Sequence, residues 1–190
     1  MILADSEIKK ALEQEQIVIH PFRPKCLGTN SYDVHLGGTL GIYKNRALDA
    51  REDNPVDYFE IPDEGYVLSP GQLYLGVTEE YTETRGYVPF LEGKSSTGRL
   101  GISVHATAGK GDEGFANHWT LELSVVQPVK VYKGMPIAQL IYFKVYGDID
   151  VTYSAKPSAK YATTSDTPQP SAMWRNFPLE WAHEKNLSQH

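Results

Sequence analysis

Residues 92–99 form a glycine-flanked segment that concentrates the residue types that bind anions. It contains Lys94, two serine hydroxyls and successive backbone N–H groups, and its small residues let those amides approach phosphate oxygens closely. The Walker A spacing G-x-x-x-x-G-K-[ST] is absent. The residues alone leave two interpretations open, a phosphate cradle or a polar turn with an exposed lysine.

Two further segments carry polar side chains at positions where chemistry is feasible. Residues 104–115 include three glycines within six residues, and Asp112 among them is either a turn former or part of a site. In residues 119–126, strand alternation places Glu122 on the face opposite the apolar side chains. Glu122 is then either a solvent-facing strand residue or a general acid and base that lines a polar pocket.

Several common catalytic patterns are missing from the sequence. The six histidines are scattered without an H-E-x-x-H or H-x-E…P-C-x-x-C pattern, so zinc protease and zinc deaminase sites lack their ligands. G-x-S-x-G and G-x-G-x-x-G are also absent, which argues against serine hydrolase and Rossmann chemistry. The single cysteine, Cys26, cannot form an intrachain disulfide or a thiolate metal site, and we interpret it as a packed small residue.

The composition limits the possible partners. The 190 residues carry a formal net charge of −6, which argues against a broad basic field for nucleic acid or anionic membrane. A small anionic ligand held by a few local cations remains compatible with this charge. No apolar run approaches about 18 residues, and the N-terminus lacks a signal-peptide pattern, so we expect a soluble cytoplasmic protein.

The elements that must position these residues are mostly strands. Residues 4–16 predict one helix, capped by Asp5 or Ser6, because Ile8, Ala11 and Leu12 repeat at helical spacing. Short β-rich runs separated by turn residues follow, which favours an all-β sandwich or barrel over alternating βα units. These runs are residues 17–19, 32–36, 39–43, 66–68, 72–78, 119–126, 129–132 and 137–143.

The C-terminal part of the sequence has a different character. Residues 154–170 are rich in Ser, Thr, Pro, Lys and Ala and cannot bury much apolar surface by themselves. Large apolar side chains follow at Met173, Trp174, Phe177 and Trp181. We interpret residues 154–190 as an arm that docks onto its own subunit, a neighbouring subunit or a ligand.

Taken together and in order, the polar segments resemble the dCTP deaminase branch of the dUTPase-like superfamily. That branch carries G-R/K-S-S-x-x-R, H-x-T-A, D-x-G-[WF] and [VT]-L-E, with ten residues between the aspartate and the glutamate. The matching segments here are Gly93-Lys-Ser-Ser-Thr-Gly-Arg99, His105-Ala-Thr-Ala108, Asp112-Glu-Gly-Phe115 and Thr120-Leu-Glu122. Residues 30–37, 70–76 and 134–140 match as well, so the resemblance extends from the first helix to about Tyr161.

The resemblance implies a distorted jelly-roll-like β-barrel of the dUTPase-like, β-clip type, with a short N-terminal helix and a C-terminal arm. Residues 1–153 would form this domain, and residues 154–190 would be a lid over a triphosphate site. It also implies a homotrimer whose three active sites are shared between neighbouring subunits. The chemistry would be independent of zinc, with Mg²⁺ held mainly by the nucleotide triphosphate and no metal site on the protein.

The resemblance also implies roles for individual residues. Glu122 would take a proton from water and pass it on as hydroxide attacks C4 of cytosine, while Ser95 and Arg99 position this water and stabilise charge. Asp112 would contact the sugar 3′-hydroxyl, a contact that favours deoxyribonucleotides. The other substrate-binding residues would be the phosphate segment Lys94, Ser96, Thr97 and Gly98, and the pyrimidine-reading Ala108, Thr120 and Leu121.

The arm matches the family pattern only in part. Tyr153 and Lys160 keep the family's seven-residue spacing, and we expect both to bind the triphosphate as the tail closes. The family glutamine four residues after the lysine is Thr164 here, so either Gln169 takes its role or the contact is missing. Two more departures lie beside the site: Gly111 replaces a usual apolar residue, and Asn117 replaces a usual glycine.

Several functions are compatible with these residues. The leading hypothesis is hydrolytic deamination of dCTP to dUTP and ammonia, which feeds thymidylate synthesis. The alternative is a bifunctional enzyme that also hydrolyses dUTP to dUMP and diphosphate, with Asp112 activating a second water. A pure dUTPase is disfavoured because residues 154–190 lack the glycine-rich terminal motif of trimeric dUTPases. A non-catalytic trimeric nucleotide-binding protein would have no need for Glu122.

Overall fold

One helix, α1 (Asp5–Glu13), precedes the strands in a computed structural model that describes residues 1–178. Its buried side chains are Ile8 and Ala11, as the helical spacing predicts. The predicted cap is wrong: the N-cap residue is Ala4, which makes no side-chain hydrogen bond. Asp5 instead begins the helix, where an acidic residue interacts favourably with the exposed N–H groups of the first turn.

The strands that follow α1 agree largely with the predicted β-rich runs, and the predicted all-β class is confirmed. Two short 3₁₀ helices, Pro24–Cys26 and Tyr153–Ala155, and a third at Met173–Asn176 interrupt the irregular segments. A five-residue helix, α2 (Ser95–Arg99), occupies the segment predicted as an anion-binding loop or turn. The strands are β1 (Ile17–His20), β2 (Tyr32–His35), β3 (Thr39–Tyr43), β4 (Val56–Glu60), β5 (Tyr66–Leu68), β6 (Tyr74–Thr84), β7 (Tyr87–Gly93), β8 (Ile102–Ser103), β9 (Ala116–Val125), β10 (Val129–Val131) and β11 (Pro136–Lys144).

The strands pair in antiparallel sheets of different size. The largest has the order β4-β3-β6-β9-β8, with β1 also paired to β6. A three-stranded sheet has the order β2-β11-β7, and β10 pairs with β5. In the largest sheet Glu122 of β9 is paired with Leu75 of β6, and Thr120 with Val77. The long strands β6 and β9 therefore form the wall on which Glu122 stands.

The pattern of apolar residues does not indicate strands β4, β7 and β8. Strand β7 contains Pro89, which lacks an N–H donor and interrupts a strand pattern. The structure accommodates it because β7 lies at the edge of its sheet and pairs only with β11 there. Strand β4 is likewise an edge strand, and its residues are exposed or half-buried.

A continuous cluster of buried apolar side chains joins the helix to both larger sheets. It contains Ile8 of α1, Leu121 and Leu123 of β9, Val34 of β2 and Leu140 of β11, each with at most 1% of its surface exposed. Burial of Leu121 and Leu123 on one face of β9 places Glu122 on the opposite face, because successive strand residues point to opposite sides. The burial pattern along Ala116–Val125 alternates as expected, with Trp119, Leu121 and Leu123 buried.

Candidate active site

A cavity of about 690 Å³ opens between β9, the loop of residues 104–115 and the C-terminal arm. Half of the residues that the sequence assigns to a site line this cavity, although they come from segments up to about 60 residues apart. The predicted residues on its wall are Ala108, Asp112, Thr120, Glu122, Tyr153, Lys160 and Gln169.

The Glu122 carboxylate is half-buried and held in place from the loop. Its Oε2 accepts a hydrogen bond of 2.7 Å from the backbone N–H of Ala106, and its own N–H donates to the Val104 carbonyl at 2.9 Å. These two bonds join β9 to the start of the 104–115 loop. One carboxylate oxygen therefore has a fixed partner, and Glu122 lines a cavity in which the second can meet a water or a ligand.

Asp112 lies in the same loop and is also paired. Its Oδ1 accepts a hydrogen bond of 2.5 Å from Lys110 Nζ, and its carbonyl accepts the N–H of Phe115 at 3.1 Å. The neighbouring residue, Gly111, packs closely against a tryptophan ring. A Cβ at this position would lie 2.6 Å from Cη2 of Trp119. A side chain at position 111 would therefore collide with the Trp119 ring unless the ring shifted.

The second half of the predicted site lies elsewhere on the chain. Lys94, Ser95, Ser96, Thr97, Gly98 and Arg99 are not among the residues that line the cavity. Ser95, Ser96 and Arg99 are exposed on α2, and the ammonium of Lys94 forms an ion pair with Asp33. One chain therefore brings Glu122 and Asp112 together but does not bring Ser95 or Arg99 to them.

Two predicted contact residues have their side chains engaged in the fold. The Thr97 hydroxyl is buried, donates to the Lys94 and Ile137 carbonyls at 2.9 and 3.3 Å, and accepts the Lys94 N–H at 3.2 Å. Leu121 is fully buried in the core cluster. Neither side chain is therefore available to contact a ligand.

The arm lies across the cavity of its own chain. Tyr153 Oη accepts the N–H of Tyr161 at 3.0 Å, and the Thr120 hydroxyl accepts the N–H of Gln169 at 2.9 Å. Thr164, which stands where the family has glutamine, is exposed, whereas Gln169 lines the cavity. Of the three docking partners considered for the arm, its own subunit is the one seen here. Trp181, the last aromatic residue assigned to the arm, lies outside the described residues.

Other cavity residues escaped the sequence analysis. His118 is two residues before Thr120 on the same face of β9, so strand alternation could have identified it. Lys110 and Tyr161 also line the cavity. For Tyr43, at the end of β3, and Leu48, in the loop that follows, no local pattern indicates a place in the wall.

A separate buried cluster offers metal-ligand types. One ligand atom each of His35, Glu79 and Glu80 lies within 4.8 Å of the others. Arg23 already pairs with both carboxylates, at 2.6 Å to Glu79 and 2.9 Å to Glu80, and His35 Nδ1 lies 2.6 Å from Glu80 Oε1. A guanidinium thus fills the position a cation would take. Burial raises the pKa of the adjacent Cys26 thiol, which disfavours a thiolate ligand.

Comparison with known proteins identifies relatives for most of the chain. A sequence-family model described as dCTP deaminase-like matches residues 2–145. A protein of Clostridium beijerinckii named "dCTP deaminase, dUMP-forming" is 46% identical over 93% of this chain and 99% of its own length. A Leptospira biflexa protein of the same name is 46% identical over 93% of this chain and 98% of its own length.

A solved structure shares the fold. The 2′-deoxycytidine 5′-triphosphate deaminase of Agrobacterium tumefaciens superposes with a TM-score of 0.59 at 21% identity, covering 74% of this chain. This chain spans 47% of the length of that structure. In addition, no helix within residues 1–178 has the length and apolar character needed to span a membrane.

Proposed function

This chain belongs to the dCTP deaminase-like family, and we propose that it is an enzyme that converts dCTP and two waters to dUMP, ammonia and diphosphate. The support is the relatives at 46% identity that are named "dUMP-forming" and are matched over nearly their whole length. These relatives favour the bifunctional alternative over the release of dUTP, which was the leading hypothesis from sequence. Deamination remains the first of the two reactions.

The observation that carries the deamination step is the position of Glu122. Its carboxylate lines the cavity with one oxygen fixed 2.7 Å from the Ala106 N–H. The free oxygen accepts a proton from water, and the resulting hydroxide adds to C4 of cytosine. Glu122 passes this proton to the ring nitrogen N3. It then moves the proton of the new C4 hydroxyl to the amine, so that the C4 carbonyl forms, the C4–N bond breaks and ammonia leaves. A positioned acid and base of this kind accelerates a reaction about 10²–10⁴-fold.

The second step uses the carboxylate of Asp112 in the same cavity. Asp112 takes a proton from a second water, whose oxygen attacks the α-phosphorus of dUTP, and the bond from phosphorus to the bridging oxygen breaks to release diphosphate. Lys110 Nζ, 2.5 Å from Asp112 Oδ1, stands beside this reaction and offsets local negative charge. Asp112 also contacts the sugar 3′-hydroxyl, and backbone groups near Ala108 and Thr120 recognise the pyrimidine edge.

The phosphate half of the site comes from a neighbouring copy in a homotrimer. Ser95, Ser96 and Arg99 are exposed on α2 and do not line their own chain's cavity, which supports a role for them in the site of a neighbouring copy. Arg99 and Ser95 then stabilise charge beside the reacting water. Mg²⁺ enters as part of the substrate, bound to the triphosphate. Residues 1–153 are the folded domain, the arm is the lid, and the enzyme works in the cytoplasm.

The product distribution tests this proposal directly. The purified protein is incubated with dCTP and Mg²⁺, and dUTP, dUMP, diphosphate and ammonia are quantified over time. We expect dUMP and ammonia in equal amounts without free dUTP accumulating. A lasting excess of dUTP would contradict the second step and leave a simple deaminase. Absence of turnover of both dCTP and directly supplied dUTP would contradict the whole proposal.

A further inference from the structure

Asn117 makes an unusually complete set of hydrogen bonds between β9 and the arm. Its side-chain N–H₂ donates to the carbonyls of Tyr161 and Thr163, at 3.1 and 2.9 Å. Its Oδ1 accepts the N–H groups of Ser165 and His118, both at 2.9 Å. The two donors and two acceptor positions of the amide are all used, and the residue is 2% exposed.

The arm depends on such side-chain partners because residues 156–178 form no strand that could satisfy their backbone groups. Three of the four Asn117 bonds reach alternate residues of the arm and hold the segment Tyr161–Ser165 against β9. Beyond that stretch, Tyr58 donates to the Pro168 carbonyl at 3.0 Å, and Tyr43 accepts the Ser171 N–H at 2.9 Å. Asn117 therefore provides the largest group of contacts at the point where the arm first crosses the sheet.

Holding the arm at this point determines what it presents to the cavity. Lys160 lines the cavity immediately before the anchored stretch, Tyr161 lines it at the start of the stretch, and Gln169 lines it four residues after the stretch ends. The Gln169 side chain donates to the Thr163 carbonyl at 2.9 Å, the same carbonyl that accepts from Asn117. The side-chain amides of Asn117 and Gln169 thus donate to the same carbonyl oxygen, that of Thr163.

We propose, on the basis of the function proposed above, that Asn117 is a positioning residue that latches the arm over the cavity and thereby brings Gln169 to the nucleotide. Thr164 and Asn117, two of the departures from the family pattern, are then linked, because the second compensates for the first. Thr164 has no side-chain amide with which to replace the missing glutamine, and it is exposed on the arm. Asn117, where the pattern has glycine, supplies the bonds that shape the arm so that a later glutamine reaches the site.

Hydrogen–deuterium exchange on the full-length protein without nucleotide tests the latch independently of catalysis. Asn117→Gly removes the amide, and we expect exchange in peptides covering residues 161–172 to accelerate at least about tenfold, as for loss of one or two hydrogen bonds. Peptides from the core half of β9 should be unchanged. Asn45→Ala, which alters an exposed asparagine outside the arm, is the matched control and should leave the arm unchanged. Unchanged arm exchange in Asn117→Gly would overturn the latch.

Kinetics test the positioning role. We expect Asn117→Gly to raise the KM for dCTP about tenfold with a smaller change in kcat, because the arm acts on binding. In a double-mutant cycle, Asn117→Gly and Gln169→Ala should be strongly non-additive in KM. Additive effects, or a loosened arm with unchanged KM, would overturn the coupling to Gln169. A loosened arm in a protein that does not turn over dCTP would instead support the latch and contradict the proposed function.

Discussion

The cavity wall of β9 and the short helix α2 both carry predicted catalytic residues, yet their surroundings within one chain are very different. Around Glu122, the loop and the arm form an enclosed wall, and the carboxylate has a fixed hydrogen-bond donor at 2.7 Å. On α2, Ser95 and Arg99 are exposed, while Thr97 beneath them is buried and bonded to Lys94 and Ile137. The helix is thus held by Thr97, but the predicted catalytic residues on it do not line the cavity of their own chain.

We interpret this contrast between the Glu122 cavity and α2 as a site of which one chain supplies only a part, and not as a poorly formed site. The buried hydrogen bonds of Thr97 hold α2 in place while Ser95 and Arg99 stay exposed. This arrangement is compatible with the proposed contribution of α2 to a neighbour's site. The proposed trimer reconciles the two halves, since each cavity then receives the α2 of an adjacent copy.

Removing the proposed acid and base should have the largest effect. Glu122→Gln preserves shape and the bond from the Ala106 N–H but cannot accept a proton, so ammonia release should fall about 10²–10⁴-fold. The measurement is ammonia release together with dCTP binding by calorimetry, and binding should persist. Glu64→Gln, at an exposed glutamate away from the cavity, serves as the control. Deamination near the wild-type rate would assign the chemistry to the other half of the site.

Truncation after Ser154 should have the next largest effect, because it opens the enclosed half and removes Lys160 and Gln169. We expect the KM for dCTP to rise roughly 10–100-fold, equivalent to losing about two charge-assisted or neutral hydrogen bonds. The thermal transition of residues 1–153 should remain cooperative, since the core cluster lies almost entirely within them. An unchanged KM would show that the arm is not a lid, and loss of cooperative unfolding would contradict the domain boundary.

The smallest effect concerns the core that supports both halves. The Tyr142 hydroxyl is buried and has no hydrogen-bond partner among residues 1–178, whereas Tyr32 Oη accepts the Arg23 N–H at 2.8 Å. Tyr142→Phe should therefore be neutral or stabilising by up to about 1 kcal/mol, while Tyr32→Phe should destabilise by about 1 kcal/mol. Denaturant titration measures both changes. Equal destabilisation by the two substitutions would contradict the difference in their partners.

The same tyrosines predict a loss of stability at high pH. Burial raises the pKa of Tyr32 to about 12 and that of Tyr142 above its usual value. Above about pH 10 the unfolded chain releases phenolic protons that the folded chain retains, so the free energy of unfolding should fall as the pH rises from about 10 towards 12. Tyr142→Phe should show a weaker fall, and an identical pH profile would contradict this assignment.

Local sequence patterns predicted which residues of β9 line the cavity, but they did not predict the long-range contacts that bring the arm to it. Alternation along β9 correctly placed Glu122 opposite Leu121 and Leu123, because burial of one strand face fixes the other. The contacts of Asn117 join residues 44 to 48 positions apart, and no local pattern encodes them. Sequence patterns did not predict helix α2 or strand β7, because glycines flank α2 and Pro89 interrupts the strand pattern of β7. Tertiary hydrogen bonding overrides weak intrinsic preferences at such positions.

Mixed trimers test most directly the claim that one site is built from two copies. Glu122→Gln and Arg99→Ala chains with different tags are co-expressed, and oligomers that contain both are isolated by sequential affinity steps. If Glu122 and Arg99 of one site come from neighbouring chains, each mixed trimer contains one intact site of three, and dCTP deamination should recover to about one third of the wild-type rate. Activity no higher than that of the separate variants would contradict the account.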